Sequence, residues 1–598
     1  MSVLTKSLPL SRARLWGALG VGLVTFLAYA LAATPTAYPL DSAELATAAF
    51  GLGVAHPPGE ETTLLLAKLF TLLPLGSVAF KVALSQAVAG SLAAVLVFLL
   101  VLDATERLTV VTSDTPESTR AVLAAAAALA FAYAPGVVVV SNRAEVYAAQ
   151  TALSLAALWF ALRAGIDQDP RWATIAALLI GLGVGNHSLV AGLAGLGAVV
   201  AALPVLLRSD KRGRFVAWSL AAFAAGMLVH AYLPLRTAAL REGTDGMNNL
   251  LWGDARSLRG LWWVVSARTF AEKAGIVHGN ASPGDLPFLL IEELGAVFAL
   301  IAPAGAYFLL RGKGARVMGV AVLVAMAGSI TAGLVGGLDP TNPDIRGYLG
   351  PAIACIAVLS GAAVTVGLAV FRFKRARALL AVILLAGALA RFPSPTQYPG
   401  LAQARATDFE VRQMLDGLPT RAALFTNHFE TGFLVGYLRF VEGTRPDVAW
   451  AHLAFAKGAG YADRIRASQP ELVHVIDAYR GRGDLLGAFA DLDHNRPIRI
   501  EPDGVLGPEI RRGLGPAGDL WSLAKNTSPE AVDPLPAWVQ DEARQDRQVR
   551  AYLAWRNYID ARWSCDLGLA ERAHARIAEL DKLVPKDARF RELQKNCQ

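Results

Sequence analysis

The sequence predicts an all-α polytopic membrane protein followed by a soluble C-terminal domain with an α/β part and a helical part. Composition is the first observation: the 598 residues are 54% hydrophobic and 18% charged, with a mean hydropathy of +0.41, whereas soluble domains carry roughly 25% charge. The second is the distribution of charge, because long uncharged blocks such as 82–102 and 121–141 lie before residue 392. Beyond residue 393 the composition is that of an ordinary soluble protein.

A membrane-spanning helix needs about 20 apolar residues, and the chain offers about eleven such segments. These segments are residues 14–33, 78–102, 120–140, 146–163, 172–187, 189–207, 215–238, 286–311, 316–337, 348–371 and 374–392. A cleaved signal peptide is the alternative for the first segment, because Ala30-Leu-Ala-Ala resembles a cleavage site.

Basic loops near residues 211, 313 and 375 predict the orientation, since positive loops stay in the cytoplasm. An N-terminus on the same side then places the tail and three long segments outside, namely 34–77, 239–285 and 338–347. We therefore expect an integral protein of a bacterial inner (cell) membrane, with a cytoplasmic N-terminus and an extracytoplasmic (periplasmic) C-terminal domain. These loops hold most of the +7 net charge. The positive charge is therefore explained by membrane topology, and we expect the protein to contact membrane lipid and not nucleic acid.

The predicted organisation has three parts: a transmembrane domain over 1–392, a soluble α/β domain over 393–530 and a helical, repeat-like tail over 531–598. Ala422–Asn427 and Asp447–His452 are predicted strands on either side of a helix. Cys565 and Cys597 form a candidate disulfide if the tail faces an oxidising compartment.

Two outer segments carry their own signals. Leu64–Leu73 is apolar but short and contains Lys68, which favours an interfacial helix over a span. Tryptophans of the 239–285 segment suit a membrane-interface belt. They are Trp252, Trp262 and Trp263.

The most informative motif follows the first span, where Asp41 and Glu44 precede His56-Pro-Pro-Gly59. Carboxylates three residues apart share one face of a helix and can divide the work of acid–base catalysis or bind a cation. The alternative is a helix cap, because Asp41 and Glu44 stand close to capping-box spacing. The Pro-Pro-Gly turn favours a segment that folds back over the membrane mouth.

Four other predicted outer junctions are also polar. Their candidate binding residues are Asn142, Arg143, Glu145, Tyr147, Asn186, His187, Arg236, Asn342, Asp344, Arg346 and Tyr348. Each has a structural alternative, such as a solvated ion pair, a buried core histidine or an interfacial arginine. The predicted inner loops hold mainly interchangeable basic residues, so this sidedness favours one reaction centre on the outer face.

These motifs, taken in order, resemble a known family. Asp41-Ser-Ala-Glu44, Val54–Gly59, Asn142–Tyr147, Gly185-Asn-His187 and Asn342–Tyr348 are similar to those of the transmembrane protein O-mannosyltransferases that target IPT/TIG domains, and of their bacterial relatives. That family lies in the GT-C glycosyltransferase superfamily. The resemblance is best over residues 14–240, and Ala43 and Glu60-Glu61 depart from the usual pattern.

The resemblance implies a GT-C-like fold and transfer of a sugar, mannose, from a polyprenyl-phosphate donor to a protein Ser/Thr hydroxyl on the outer face. Asp41 is the predicted base, oriented by Glu44. Three arginines, Arg143, Arg236 and Arg346, are candidates for the lipid phosphate, and the histidines His56 and His187 for positioning sugar or phosphate. The sequence identifies no certain cofactor, and a divalent metal stays open. The alternatives are a lipid, polysaccharide or other glycan acceptor, or a flippase of lipid-linked sugars.

Overall fold

The computed structural model describes residues 11–108, 115–242, 252–268, 283–337, 342–369, 373–391, 401–458, 460–524, 532–585 and 587–597. Its first half is helical. Its helices are α1 (Arg12–Ala32), α2 (Ser42–Gly51), α3 (Glu61–Thr71), α4 (Val78–Glu106), α5 (Glu117–Ala132), α6 (Pro135–Ser141), α7 (Tyr147–Asp167), α8 (Arg171–Arg208), α9 (Arg212–Met227), α10 (Tyr232–Glu242), α11 (Leu258–Val265), α12 (Leu286–Leu294), α13 (Ala296–Arg311), α14 (Arg316–Val335), α15 (Pro343–Tyr348), α16 (Gly350–Ala369) and α17 (Lys374–Leu389).

Within the described residues, seven helices are long and apolar enough to cross a membrane, and two bent helix pairs raise the number to nine. One of the seven is the 29-residue run Arg212–Leu240, in which α9 continues through a 3-10 turn into α10. The pairs are α5 with α6, bent by 72°, and α12 with α13, bent by 106°. These apolar helices make this an integral membrane protein.

Two features account for the difference between nine and the predicted eleven. Helix α8 is 38 residues long with non-helical dihedrals at His187, and its halves lie side by side. A Cβ on Gly195 would lie 3.3 Å from Cγ2 of Ile180, although 15 residues of straight helix span about 22 Å. The predicted spans 172–187 and 189–207 are therefore two arms of one hairpin. The second feature is α17, which is only 16 residues long.

The tail contains an α/β unit followed by helices. Its elements are α18 (Ala406–Asp416), β1 (Ala423–Thr426), α19 (Phe429–Phe440), β2 (Ala449–His452), α20 (Leu453–Ala456), α21 (Tyr461–Ser468), α22 (Val473–Asp477), α23 (Leu485–Asp493), β3 (Ile498–Ile500), α24 (Pro508–Arg512), β4 (Leu514–Ala517), β5 (Leu520–Leu523), α25 (Ala537–Gln545), α26 (Arg547–Asp566), α27 (Ala570–Leu583) and α28 (Ala588–Asn596). The five strands have the order β2-β1-β3-β5-β4. β1 is parallel to β2 and to β3, whereas β5 is antiparallel to its neighbours. A disulfide joins Cys565 to Cys597.

Both faces of the parallel strands are covered, because alternate side chains point to opposite faces. Leu424 and Trp450 pack with α19 in a core that also contains residues of the 37–55 segment. Ala423 and Phe425 pack on the other face with α21 to α23. The tail is thus packed onto the first predicted outer segment, which carries the Asp41 motif.

Candidate active site

Asp41 and Glu44 lie at the start of α2, but they do not form a capping box. The Asp41 side chain makes no capping hydrogen bond. The Glu44 side chain is fully buried and turns to His56, whose backbone N–H donates to Oε1 and whose Nδ1 lies 2.8 Å from Oε2. The capping alternative is therefore wrong for this pair.

His56 brings three carboxylates together. Besides Glu44, its Nε2 lies 3.2 Å from Glu60 Oε1 and 3.8 Å from Asp41 Oδ2. Gly59, with φ +109°, and Glu60, with φ +58°, form the bend that returns Glu60 to the ring. Glu60 was not among the predicted site residues, although the sequence shows it directly after the Pro-Pro-Gly turn.

The electrostatics of this cluster follow from crowding. Desolvation within the cleft, reinforced by Asp344, Glu44 and Glu60, raises the pKa of Asp41 to about 7 against the opposing effect of His56. Burial alone would lower the pKa of His56, but Glu60, Glu44 and Asp41 raise it well above its ordinary value. The Asp41 side chain remains 36% exposed. It is therefore the accessible carboxyl of the cluster, with a pKa suited to accepting a proton near neutral pH.

Arg143 connects this cluster to the 342–348 segment. Its guanidinium is completely buried, is paired with Asp344, and lies 3.0 Å from Glu145 Oε2. It also lies over the Tyr38 ring and 3.4 Å from the hydroxyl of Ser42 in α2. Desolvation opposes its charge, but Asp344 and Glu145 keep the pKa of Arg143 raised. The solvated-pair alternative for Arg143 and Glu145 is wrong.

An aromatic group extends the site. The ring centroids of Tyr147 and Tyr348 lie 5.3 Å apart, and His187 lies 5.4 Å from Tyr147 and 4.6 Å from Tyr348. His187 occupies the break in α8. A position at a helix break between two tyrosines is consistent with a binding role for this histidine.

Asparagines hold the remaining junctions. Asn186 accepts from the hydroxyl of Thr63 at 2.5 Å and donates to the carbonyl of Val146 at 3.1 Å. Buried Asn142 accepts at its carbonyl from the Thr34 amide at 2.8 Å. Asn342 caps α15 through the Asp344 amide. The contacts of Asn186 and Asn142 join three predicted outer junctions, and the Arg143–Asp344 pair adds the 342–348 segment.

Two predicted phosphate ligands lie outside the carboxylate cluster. Arg346 pairs with Glu293 at 2.8 Å and with Glu292 at 3.1 Å, partners that the sequence analysis missed. Arg236 donates to the carbonyls of Leu52 and Gly51. That is the carboxyl end of α2, whereas Asp41 and Glu44 lie at its amino end.

The C-terminal domain also reaches the site. Glu430 accepts from the Leu40 amide at 3.1 Å, directly before Asp41, and the Tyr38 hydroxyl donates to Asp546 at 2.9 Å. The tail therefore holds the segment that carries the predicted base. Nothing in the sequence pattern linked these residues, which lie about 390 and 508 positions apart.

The predicted belt of interfacial tryptophans holds for only part of the set. The Trp252 ring centroid lies 6.3 Å from that of His56, 4.8 Å from Phe455 and 6.2 Å from Phe429, so the belt prediction is wrong for Trp252. Trp262 is 64% exposed, as a lipid-facing side chain would be. Leu65, Leu66 and Leu69 of α3 are also exposed, as expected for an interfacial helix.

One group in the described residues has the geometry for a metal ion. Single ligand atoms of Asp41, Glu44 and His56 lie within 4.8 Å of one another. Carboxylate and imidazole donors suit a divalent cation. Its binding would require neutral imidazole, so a cation and the His56 proton compete for the same position.

Comparisons with known proteins show which family the chain resembles. Residues 41–211 match the family model of the protein O-mannosyl-transferase TMEM260 N-terminal domain. The mouse (Mus musculus) protein O-mannosyl-transferase TMEM260 is 28% identical over 439 residues, which cover 68% of this chain and 58% of that protein. The chain thus matches under two thirds of its curated relative. The resemblance is confirmed.

Solved structures extend the agreement to the fold. ArnT from Cupriavidus metallidurans bound to undecaprenyl phosphate has a TM-score of 0.51 at 13% identity, covering 86% of this chain and 99% of ArnT. The apo state of ArnT also gives 0.51, at 14% identity, covering 87% of this chain and 100% of ArnT. The fold is of the GT-C type. In this GT-C fold, the matched family segment begins at Asp41 and includes the cluster around His56.

Proposed function

We propose that this protein is a membrane glycosyltransferase that moves a sugar, mannose, from a polyprenyl-phosphate donor to a protein Ser/Thr hydroxyl. We place the reaction on the outer face of a bacterial inner membrane, with the tail outside. The observation that carries the proposal is the accessible Asp41 carboxyl beside His56, Glu44 and Glu60.

The reaction requires a base at the acceptor. Asp41 accepts the proton of the acceptor hydroxyl while the hydroxyl oxygen bonds to C1 of the sugar. The bond from C1 to the phosphate oxygen breaks, and polyprenyl phosphate leaves with the electron pair. A raised pKa near 7 suits this role, because the base must be unprotonated yet hold the proton once it is transferred. Glu44 orients Asp41 indirectly, through the His56 ring that both carboxylates approach.

The leaving phosphate needs positive charge nearby. The sequence predicted that arginines would supply it, but the structure pairs two of them with carboxylates. Arg143 and Arg346 already face two carboxylates each, so we assign them to positioning Asp344, Glu145 and the 342–348 segment. His56, whose ring lies against Asp41, Glu44 and Glu60, would position the phosphate. A divalent cation held by Asp41, Glu44 and neutral His56 would supply positive charge for it. Tyr348 and His187 border the space for the sugar.

The comparisons support the substrates by analogy. The name of the mouse relative states mannose transfer to protein, and ArnT binds undecaprenyl phosphate. The sequence shows no glycine-rich phosphate loop of the kind that binds a nucleotide. This agrees with a donor whose sugar is linked to a lipid instead of a nucleotide.

A donor-cleavage assay tests the proposal. Membranes containing the protein are given polyprenyl phosphate carrying radiolabelled mannose, and both free polyprenyl phosphate and labelled acceptor are measured. We expect stoichiometric cleavage and transfer to protein. If the label appears in glycan or lipid and not in protein, the acceptor is that glycan or lipid and the assignment of a protein acceptor is wrong. Transbilayer movement of intact donor without cleavage would identify a flippase and overturn the proposal.

A further inference from the structure

The parallel part of the C-terminal sheet has a crevice at the point where its strand order reverses. The chain runs from β1 to β2 on one side and then crosses to β3 on the other side of β1. The intervening helices cover opposite faces. Ligands of open α/β sheets bind at the carboxyl ends of the strands at such a reversal. Glu501, directly after β3, lines a cavity at this position.

Buried polar atoms at these strand ends lack partners. Glu501 is 2% exposed, and its Oε2 accepts from the backbone amides of Asn427 at 2.9 Å and His428 at 3.1 Å. Its Oε1 makes no hydrogen bond of good geometry among the described residues, because the neighbouring Thr431 hydroxyl is engaged with the Tyr552 hydroxyl at 3.1 Å. Such an oxygen is costly to leave unpaired, which indicates a missing polar neighbour.

Arg556 of α26 lines the same crevice. Its nearest carboxylate oxygen among the described residues is Oε2 of Glu410 at 3.8 Å, which exceeds the length of a normal hydrogen bond. The guanidinium also donates to the Met414 sulfur at 3.8 Å and lies over the Tyr552 ring. A group that bridges Arg556 and Glu410 must accept from one and donate to the other, as a hydroxyl does.

The crevice has an apolar wall as well. Trp555 stacks on His428 with centroids 3.8 Å apart, and it lines the crevice with Leu535 and Leu553. The empty volume of the crevice is about 400 Å³, including open solvent. A ligand bound in it would rest its apolar face on this wall.

Charge decides the class of ligand. Two carboxylates of the crevice are already paired, Asp519 with Arg576, and Asp560 with Arg572 and Arg576. The groups left to meet a ligand are Glu410, Glu501 and Arg556. Two carboxyl groups against one guanidinium disfavour phosphate or carboxylate ligands. A sugar ring is neutral, carries hydroxyls that both donate and accept, and presents apolar C–H groups on its face.

We propose that this crevice is a sugar-binding subsite, with Arg556 donating to a sugar hydroxyl and Glu501 and Glu410 accepting from it. The sugar could belong to a donor headgroup or to a glycan on an acceptor. The subsite itself follows from the crevice. Only its expected preference for mannose rests on the proposed function.

Binding to the full chain in detergent micelles tests the subsite. The probes are methyl α-D-mannopyranoside, which represents a glycan, and mannose 1-phosphate, which represents the donor headgroup. Isothermal titration should show saturable binding of the mannoside in the millimolar range, and weaker binding of the phosphate because of the excess carboxylates. Tighter binding of the phosphate would overturn the assignment to a neutral sugar.

Variants locate the binding. Arg556→Met and Trp555→Leu should each weaken mannoside binding by about tenfold or more, the effect of losing one charged hydrogen bond or the apolar wall. Arg550→Met on the same helix and Trp538→Leu, a tryptophan that packs on Phe409 instead, are matched controls and should bind as wild type. Thermal unfolding identifies a crevice variant that fails to fold. Mannoside binding by the remaining crevice variant then decides whether the crevice is the binding site.

The outcomes separate this inference from the proposed function. Absence of binding up to about 100 mM mannoside, or equal affinity in wild type and both folded crevice variants, would overturn the subsite. If the mannoside binds but the donor is never cleaved, the transferase proposal fails alone. If transfer proceeds and no saccharide binds the crevice, only the subsite fails.

Discussion

The buried Arg143 pair gives the most quantitative prediction. Arg143→Met removes a completely buried cation and leaves Glu145 and Asp344 without their cationic partner. Stranding a buried charge costs about 3–5 kcal/mol. Unfolding entropy of about 2.1 cal/mol/K per residue over 598 residues is about 1.3 kcal/mol/K. If the chain unfolds as one unit, Tm should fall by about 2–4 °C.

Tryptophan fluorescence of the purified protein in detergent measures this change during heating. Arg171→Met is the matched control, because Arg171 is 81% exposed and pairs with Asp169 at the surface, so its loss should leave Tm close to the wild-type value. The triple variant Arg143→Met, Glu145→Gln, Asp344→Asn removes the stranded charges and should recover most of the loss. Equal Tm values for Arg143→Met and Arg171→Met would refute the account of this ion pair.

Three further predictions concern the tail. Glu430→Ala, which loses the acceptor of the Leu40 amide, should lower transfer kcat by about tenfold, while Glu430→Gln keeps an acceptor oxygen and most activity; kinetics of both variants decide. Desolvation lowers the pKa of His452 to about 3 in the folded chain. As pH decreases, the unfolded chain therefore binds a proton at this histidine first, and stability should fall from about pH 6.5 towards pH 3. Between pH 7 and pH 5, thermal unfolding should show a smaller decrease in Tm for His452→Gln than for wild type. In intact cells, a membrane-impermeant reductant followed by an impermeant maleimide should label Cys565 and Cys597; labelling that requires permeabilised cells would contradict an outward tail.

The membrane spans could be predicted from the sequence because the length of an apolar segment alone determines whether it can cross a bilayer. Even the hairpin in α8 was visible as two segments around His187, since Gly185-Asn-His187 interrupts the apolar run. The sheet strands at 423–426 and 449–452 were visible for a similar reason, as short apolar runs with polar ends. The wider division into three domains stays a prediction.

The pairing of charges within the site could not be predicted, because it depends on contacts between distant segments. Arg143 and Asp344 are 201 residues apart, and Arg346 pairs with Glu292 and Glu293 on a separate helix. Without these carboxylates, an outward-facing arginine resembles a free phosphate ligand. Their presence changes the expected role of both arginines from binding to positioning.

The contribution of the tail was also beyond the sequence pattern. Glu430 and Asp546 are ordinary charged residues at the starts of helices, a position with several structural explanations. Only the packing of the tail on the 37–55 segment brings them to Leu40 and Tyr38. Long-range packing of this kind has no local signature.

The most direct test of the central claim is the transfer rate of Asp41→Asn, measured with radiolabelled polyprenyl-phosphate mannose in membranes. Asparagine preserves size but cannot accept the proton, so transfer should fall by about 10²–10⁴-fold at normal expression and unchanged Tm. Asp169→Asn, a change in an exposed loop pair, should transfer at the wild-type rate. Full activity of Asp41→Asn would contradict the assignment of Asp41 as the base.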